Sequence, residues 1–157
     1  MSITTATPSD FPAIHALVCA AFDREDEAAL VSQLRADGAV AIEHIYCDDG
    51  SIMGHCLWSA MRAPEGALGL APVSVSRAHQ NKGIGRSLIQ AGMEEARAHG
   101  YAGAFVLGDP AYYQRFGFSL RRGADFATPY PRSHFMAVDW AGLPPRGDAI
   151  YASAFAS

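Results

Sequence analysis

Gln80-Asn81-Lys82-Gly83-Ile84-Gly85-Arg86-Ser87 opens a helix predicted over Gly83–His99 and ended by Gly100. It follows an apolar run that closes in Val73-Ser74-Val75. The start of a helix leaves four backbone N–H groups without partners and carries the positive end of the dipole. An Asp, Ser or Thr cap, or a Glu in the first turn, ordinarily answers those donors; here none stands before Ser87. Gly83 and Gly85 let a ligand approach the backbone closely. No Asp or Glu occurs between Glu65 and Glu94, whereas Arg77, His79, Lys82 and Arg86 all lie in that window. Free donors, dipole and cations together describe an anion site, and a diphosphate suits it best. The plainer reading of the same residues is a turn with a solvated basic face. Two familiar phosphate motifs are excluded: there is no Gly-x4-Gly-Lys-Ser/Thr loop, and Leu88 replaces the third glycine of Gly-x-Gly-x-x-Gly.

Upstream, Thr7–Pro12 reads as a helix start capped by Ser9 or Asp10, with Ile14, Leu17, Val18 and Ala21 at helical spacing. A second amphipathic helix is predicted over Glu25–Ala36, stopped by Gly38. Strands at Val40–Tyr46 and Ile52–Ala60 flank Asp48-Asp49-Gly50 and make a hairpin; a further strand covers Leu68–Val75. Downstream come a short strand, Ala104–Leu107, and a brief helix capped by Asp109, begun by Pro110 and closed by Gly117. Apolar stretches at Phe118–Leu120, Phe135–Trp140 and Ala149–Ala152 read as further strands. Hairpin strands followed by strand–helix–strand predict a mixed α/β (α+β) fold, a mixed central sheet with flanking helices. On the long helix, Leu88, Ala91 and Ala96 are expected against the sheet.

The 157 residues are half apolar and 18% charged. A chain of this size buries roughly 70% of its unfolded surface, enough for one full core, so residues 1–157 are expected to form a single domain. The net charge of −4 speaks against broad binding to nucleic acid or anionic lipid. No apolar run reaches membrane-spanning length and no basic, then apolar, leader opens the chain, so the expected compartment is the cytoplasm. Cys19, Cys47 and Cys56 have neither disulfide-framework nor zinc-ligand spacing and are expected to be free thiols, with no metal site.

Gln80-Asn81-Lys82-Gly83-Ile84-Gly85 after Val73-Ser74-Val75 resembles the Gln/Arg-x-x-Gly-x-Gly/Ala acetyl-CoA motif of the GNAT superfamily of N-acetyltransferases. Tyr112-Tyr113-Gln114-Arg115-Phe116-Gly117-Phe118 resembles that family's aromatic–Tyr–x–x–x–Gly–Phe segment, at the expected separation of one helix and one strand. The order helix, helix, hairpin upstream matches as well, so the resemblance covers most of the chain. Leu107-Gly108-Asp109-Pro110-Ala111-Tyr112-Tyr113 is similar to a bacterial subgroup of predicted acetyltransferases with largely undefined substrates. One departure stands out: Val106–Pro110 supplies neither the Asn nor the Ala that many members carry there.

The resemblance implies an acyl-CoA N-acyltransferase-like fold in which the family's fourth and fifth strands (here Leu68–Val75 and Ala104–Leu107) splay apart. It implies acetyl-CoA as co-substrate and direct transfer of acetyl to the amine of a small molecule or peptide within a ternary complex. The residues expected to hold the cofactor are Val73, Ser74, Val75, Gln80, Asn81, Lys82, Gly83, Ile84, Gly85, Arg86 and Ser87. The amides of Lys82–Ser87 would take the diphosphate, and the Val75 N–H the thioester oxygen. Tyr113 fills the family's acid position and is expected to protonate the departing thiolate. For the base, Glu25, Glu27, Glu65, His55 and His134 remain open. Trp58, Met53, Met61, Phe135 and Met136 are read as core rather than acceptor pocket. A homodimer is left open. The rival reading is an acyl-CoA-binding regulatory module without turnover.

Overall fold

The computed structural model describes residues 2–156. Its centre is a six-stranded sheet in the order β1-β2-β3-β4-β5-β7, with β1 Ser2–Thr5, β2 Val40–Asp48, β3 Ser51–Ala60, β4 Ala67–Val75, β5 Gly103–Leu107 and β7 Phe135–Asp139. All neighbours run antiparallel except β4 and β5, which are parallel. A parallel pair needs a crossover, and α3 (Ile84–Ala98) provides it. The short strands β6 (Phe126–Ala127) and β8 (Gly147–Asp148) form a separate parallel pair.

Side chains alternate across a strand, which sorts the core into two faces. Cys56 and Trp58 of β3 point to the face covered by α3, where Leu88, Ile89 and Ala96 are buried with Phe116, Phe118 and Met136. Leu57, between them, points to the other face, with Val31 and Leu34 of α2 (Asp26–Ala36). Ile14 and Val18 of α1 (Phe11–Phe22) pack on that side over Ile45. Trp58, Met61, Phe135 and Met136 are buried, as the core reading requires. Ala91 is only half-buried; Gly92, one residue on, faces the sheet. A Cβ there would lie 2.1 Å from the Trp58 Nε1, so glycine lets α3 settle onto the indole.

Local chemistry explains where elements begin and where expectations fail. Asp10 reaches back rather than forward: its carboxylate accepts from the Thr7 N–H at 2.9 Å and the Thr7 hydroxyl at 3.0 Å. Asp109 caps α4 (Pro110–Tyr113) as expected, accepting from the Ala111 N–H at 3.0 Å. Two expected strands do not form. Of Phe118–Leu120, only Ser119 bridges to Ala137, and the Ser119 hydroxyl then caps α5 (Leu120–Gly123) by accepting from the Arg122 N–H. Within Ala149–Ala152 only Ile150 bridges, to Ala63. The segment is held by backbone hydrogen bonds of Ile150 to Arg62 and Ala63 and of the Ala149 N–H to the Ala127 carbonyl, and by Tyr151 packed on Gly69 and Phe155. β1 was not anticipated: a four-residue, Thr-rich edge strand has little apolar pattern to betray it.

Candidate functional site

The sheet opens at β4. Pairing between β4 and β5 spans only Ala67–Gly69 against Gly103–Phe105, while β5 stays paired with β7 as far as Leu107. On its other side β4 follows β3, but Leu57 faces two residues, Ala71 and Pro72. This is a β-bulge, which bends a strand and increases its twist. Pro72 has no N–H to give a ladder and suits a position where β4 is not paired on both edges. From Leu70 to Val75 the edge of β4 facing β5 has no strand partner among the described residues.

A cleft of about 570 Å³ lies along that edge. Val73 and Val75 line it from β4, Gln80, Asn81 and Gly83 from the loop, and Ile84, Gly85 and Arg86 from α3. Gly83 sits at φ 83° as the N-cap of α3, with no side-chain cap and no acid in the first turn. The Ser87 N–H is taken by the Gly83 carbonyl at 3.0 Å, so the open donors of this turn belong to Ile84, Gly85 and Arg86. A Cβ on Gly85 would stand 3.3 Å from the Tyr112 hydroxyl and 3.6 Å from Val75 Cγ2. The Gln80 side chain donates to the Val75 carbonyl at 3.2 Å and ties loop to strand. Four of the expected site residues do not line the cleft. Ser74 is buried on the opposite face of β4, Lys82 is exposed in the loop, Ser87 is half-buried on α3, and Tyr113, the expected acid, is half-buried beside Tyr112.

Three further residues do line it: His79, Tyr112 and Arg115. The Arg115 guanidinium lies over the Tyr112 ring at 4.9 Å. Among the described residues, no Asp or Glu lines the cleft, and none of Lys82, Arg86 and Arg115 has a carboxylate within ion-pair distance. An uncapped helix start, two unpaired arginines and an unpaired strand edge thus meet in one groove.

A sequence model described as "Acetyltransferase (GNAT) family" matches residues 9–118. This chain belongs to the GNAT acetyltransferase family. The uncharacterized N-acetyltransferase YhbS of Escherichia coli K12 is 35% identical over 135 residues, covering 83% of this chain and 81% of its own. Among solved structures, E. coli YhbS in complex with CoA superposes with a TM-score of 0.91 at 32% identity, over 99% of this chain and 92% of that one. A GNAT family acetyltransferase from Brucella melitensis in complex with acetyl-CoA gives 0.85 at 33%, over 98% and 97%.

In this GNAT acetyltransferase the two tyrosines of α4 point apart, as adjacent helical residues must. Tyr112 faces the cleft. Tyr113 packs against Gly108, just past the end of β5, where a Cβ would lie 2.4 Å from its ring, and against Phe118. Burial foremost, then Tyr112 and Cys56 nearby, push the Tyr113 phenol up to about 12. Tyr112 is also raised by burial, with Arg115 and Arg86 working against the shift. The candidate bases are scattered. Glu65 stands at the far end of β4, beside Gly66 and Trp140. His55 is buried and bonded through Nε2 to Glu43 at 2.8 Å. Glu27 is paired with Arg24. His134 is exposed, and its carbonyl accepts from the Gly108 N–H at 3.0 Å. Tyr112 fills the motif's aromatic position and Arg115 one of its unspecified ones, and neither was expected at the site; the available signal was their i,i+3 spacing, which puts them on one side of a turn.

Proposed function

We propose that residues 1–157 act as one N-acetyltransferase domain that takes acetyl-CoA in the cleft along β4. Its acetyl group passes directly to an amine of a small molecule or peptide in a ternary complex. The observation that carries this reading is the coincidence of the β4–β5 opening with the uncapped start of α3. The residues present fit the cofactor: the open amides of Ile84–Arg86 suit a diphosphate, and Gly85 keeps clear the space its Cβ would fill. Pantetheine amides pair with the free edge of β4, whose groups must otherwise be met by water. The Val75 N–H stabilises the charge that develops on the thioester oxygen, a contribution of about 3 kcal/mol for one such donor.

In the transfer, the amine nitrogen bonds to the thioester carbon, the C–S bond breaks, and one proton passes in balance from nitrogen to sulfur. Tyr113 serves the sulfur. A thiol titrates near 8.5 and the buried phenol near 12, so the phenol is protonated throughout the neutral range. Complete transfer from it to the thiolate is uphill. Tyr113 therefore acts first as a hydrogen-bond donor to the departing sulfur. Its proton moves across only as the proton leaving nitrogen replaces it.

Thiol release from acetyl-CoA with a panel of amines tests this. Amine-dependent release is expected from the native chain, with Tyr113→Phe lowering kcat about 100-fold or more and cofactor affinity intact. Binding of acetyl-CoA without acceleration by any amine would favour the regulatory module instead. Undiminished turnover in Tyr113→Phe would remove Tyr113 from the acid role.

A further inference from the structure

We propose that Arg115, braced on the Tyr112 ring, is a specificity residue for the cofactor: it binds the 3′-phosphate of the nucleotide end and selects coenzyme A over its dephospho form. The proposal rests on the cofactor assignment above and concerns the opposite wall of the same cleft. Two cations face this groove from different elements, Arg86 from α3 and Arg115 from the turn after α4. Both share the cleft with Tyr112, whose hydroxyl stands 3.3 Å from the place a Cβ on Gly85 would take at the start of α3. The start of α3 already offers three open amides and Arg86 to a diphosphate. Arg115 reaches the cleft from a different element and has no carboxylate partner among the described residues. Its guanidinium is held over the Tyr112 ring at 4.9 Å rather than free in solvent.

Coenzyme A carries a second anionic group besides the diphosphate, a ribose phosphomonoester with a charge of about −1.5 to −2 at neutral pH. Arginine matches phosphate oxygens in a bidentate fork, a geometry that a point-like ammonium cannot reproduce. Stacking on an aromatic face restricts the guanidinium before the ligand arrives, so less freedom is lost on binding. No acid among the described residues lines the groove to compete for the fork.

Calorimetric titration of the native chain with coenzyme A and with dephospho-coenzyme A, repeated on Arg115→Gln, decides the matter. Arg115 is exposed, so the variant is expected to fold, which circular dichroism verifies. The native chain is expected to bind coenzyme A about tenfold more tightly than the dephospho form, a modest value for a charged hydrogen bond at an exposed site. Arg115→Gln should erase that preference while leaving the dephospho-coenzyme A Kd unchanged, and Arg115→Lys should recover only part of it. Equal weakening of both ligands would overturn the proposal, since Arg115 would then hold the diphosphate. Unchanged affinity for both would overturn it as well. Binding of neither ligand by the native chain would instead remove the cofactor assignment, and this proposal with it.

Discussion

At the scale of single residues, the site depends on what is missing. Gly85 has no side chain where a Cβ would stand 3.3 Å from the Tyr112 hydroxyl. The first turn of α3 has no acid and no cap, so its donors are left for a ligand. Gly85→Glu fills the space and puts a carboxylate where phosphate belongs. It is expected to weaken coenzyme A binding at least 100-fold, roughly 3 kcal/mol, with little change in fold. Calorimetry with unchanged affinity would show the glycines to be turn residues only. This half of the site was legible in the sequence because caps and glycines act on their own neighbourhood. Tyr112 and Arg115 were less so: a tyrosine beside another tyrosine declares no direction until its helix is docked.

Between elements, a buried charge chain ties the outer helix to the sheet. Glu43 of β2 accepts from Arg35 of α2 and from His55 of β3, the closer bonds being 2.6 and 2.8 Å. Burial alone would raise the Glu43 carboxyl, but the hydrogen bonds from His55 and Arg35 together outweigh it and hold the pKa below the ordinary glutamate value. A carboxyl depressed in the folded state adds stability above its unfolded pKa of about 4.3, and that share is lost as pH falls through the folded value. Urea midpoints are therefore expected to decline below about pH 5. Glu43→Ala should flatten part of that decline and cost about 3 kcal/mol at neutral pH, because it strands a buried imidazole and a half-buried guanidinium. A variant with the native pH profile would show that Glu43 contributes nothing through its charge. The elements that carry this chain were readable, since α1, α2, β2–β5 and α3 have clean periodicity. β6, β8 and α5 were not: pieces of two to four residues have no period to detect.

Across the whole molecule, cofactor and stability are linked. A ligand that binds only the folded chain at 100 times its Kd stabilises by about 2.7 kcal/mol, which for a chain of this size raises Tm by roughly 5–10 °C. Scanning calorimetry with coenzyme A should show that shift, and Gly85→Glu should abolish it; an unmoved native Tm at millimolar ligand would contradict the cofactor assignment. No helix among the described residues is long and apolar enough to cross a membrane. The chain's last segment closes one face of the sheet, with Tyr151 on Gly69 where β4–β5 pairing ends. Nothing in the composition of residues 147–156 foretold that contact.

The sequence alone determined the order of the main elements, the uncapped glycine turn and the two motifs of the acetyltransferase family, because each is a property of residues adjacent along the chain. Only the tertiary structure decided where β4 leaves β5, which wall Arg115 occupies and which partners Glu43 receives. Those depend on register and packing between segments distant in the chain, and no local pattern encodes the distance between them.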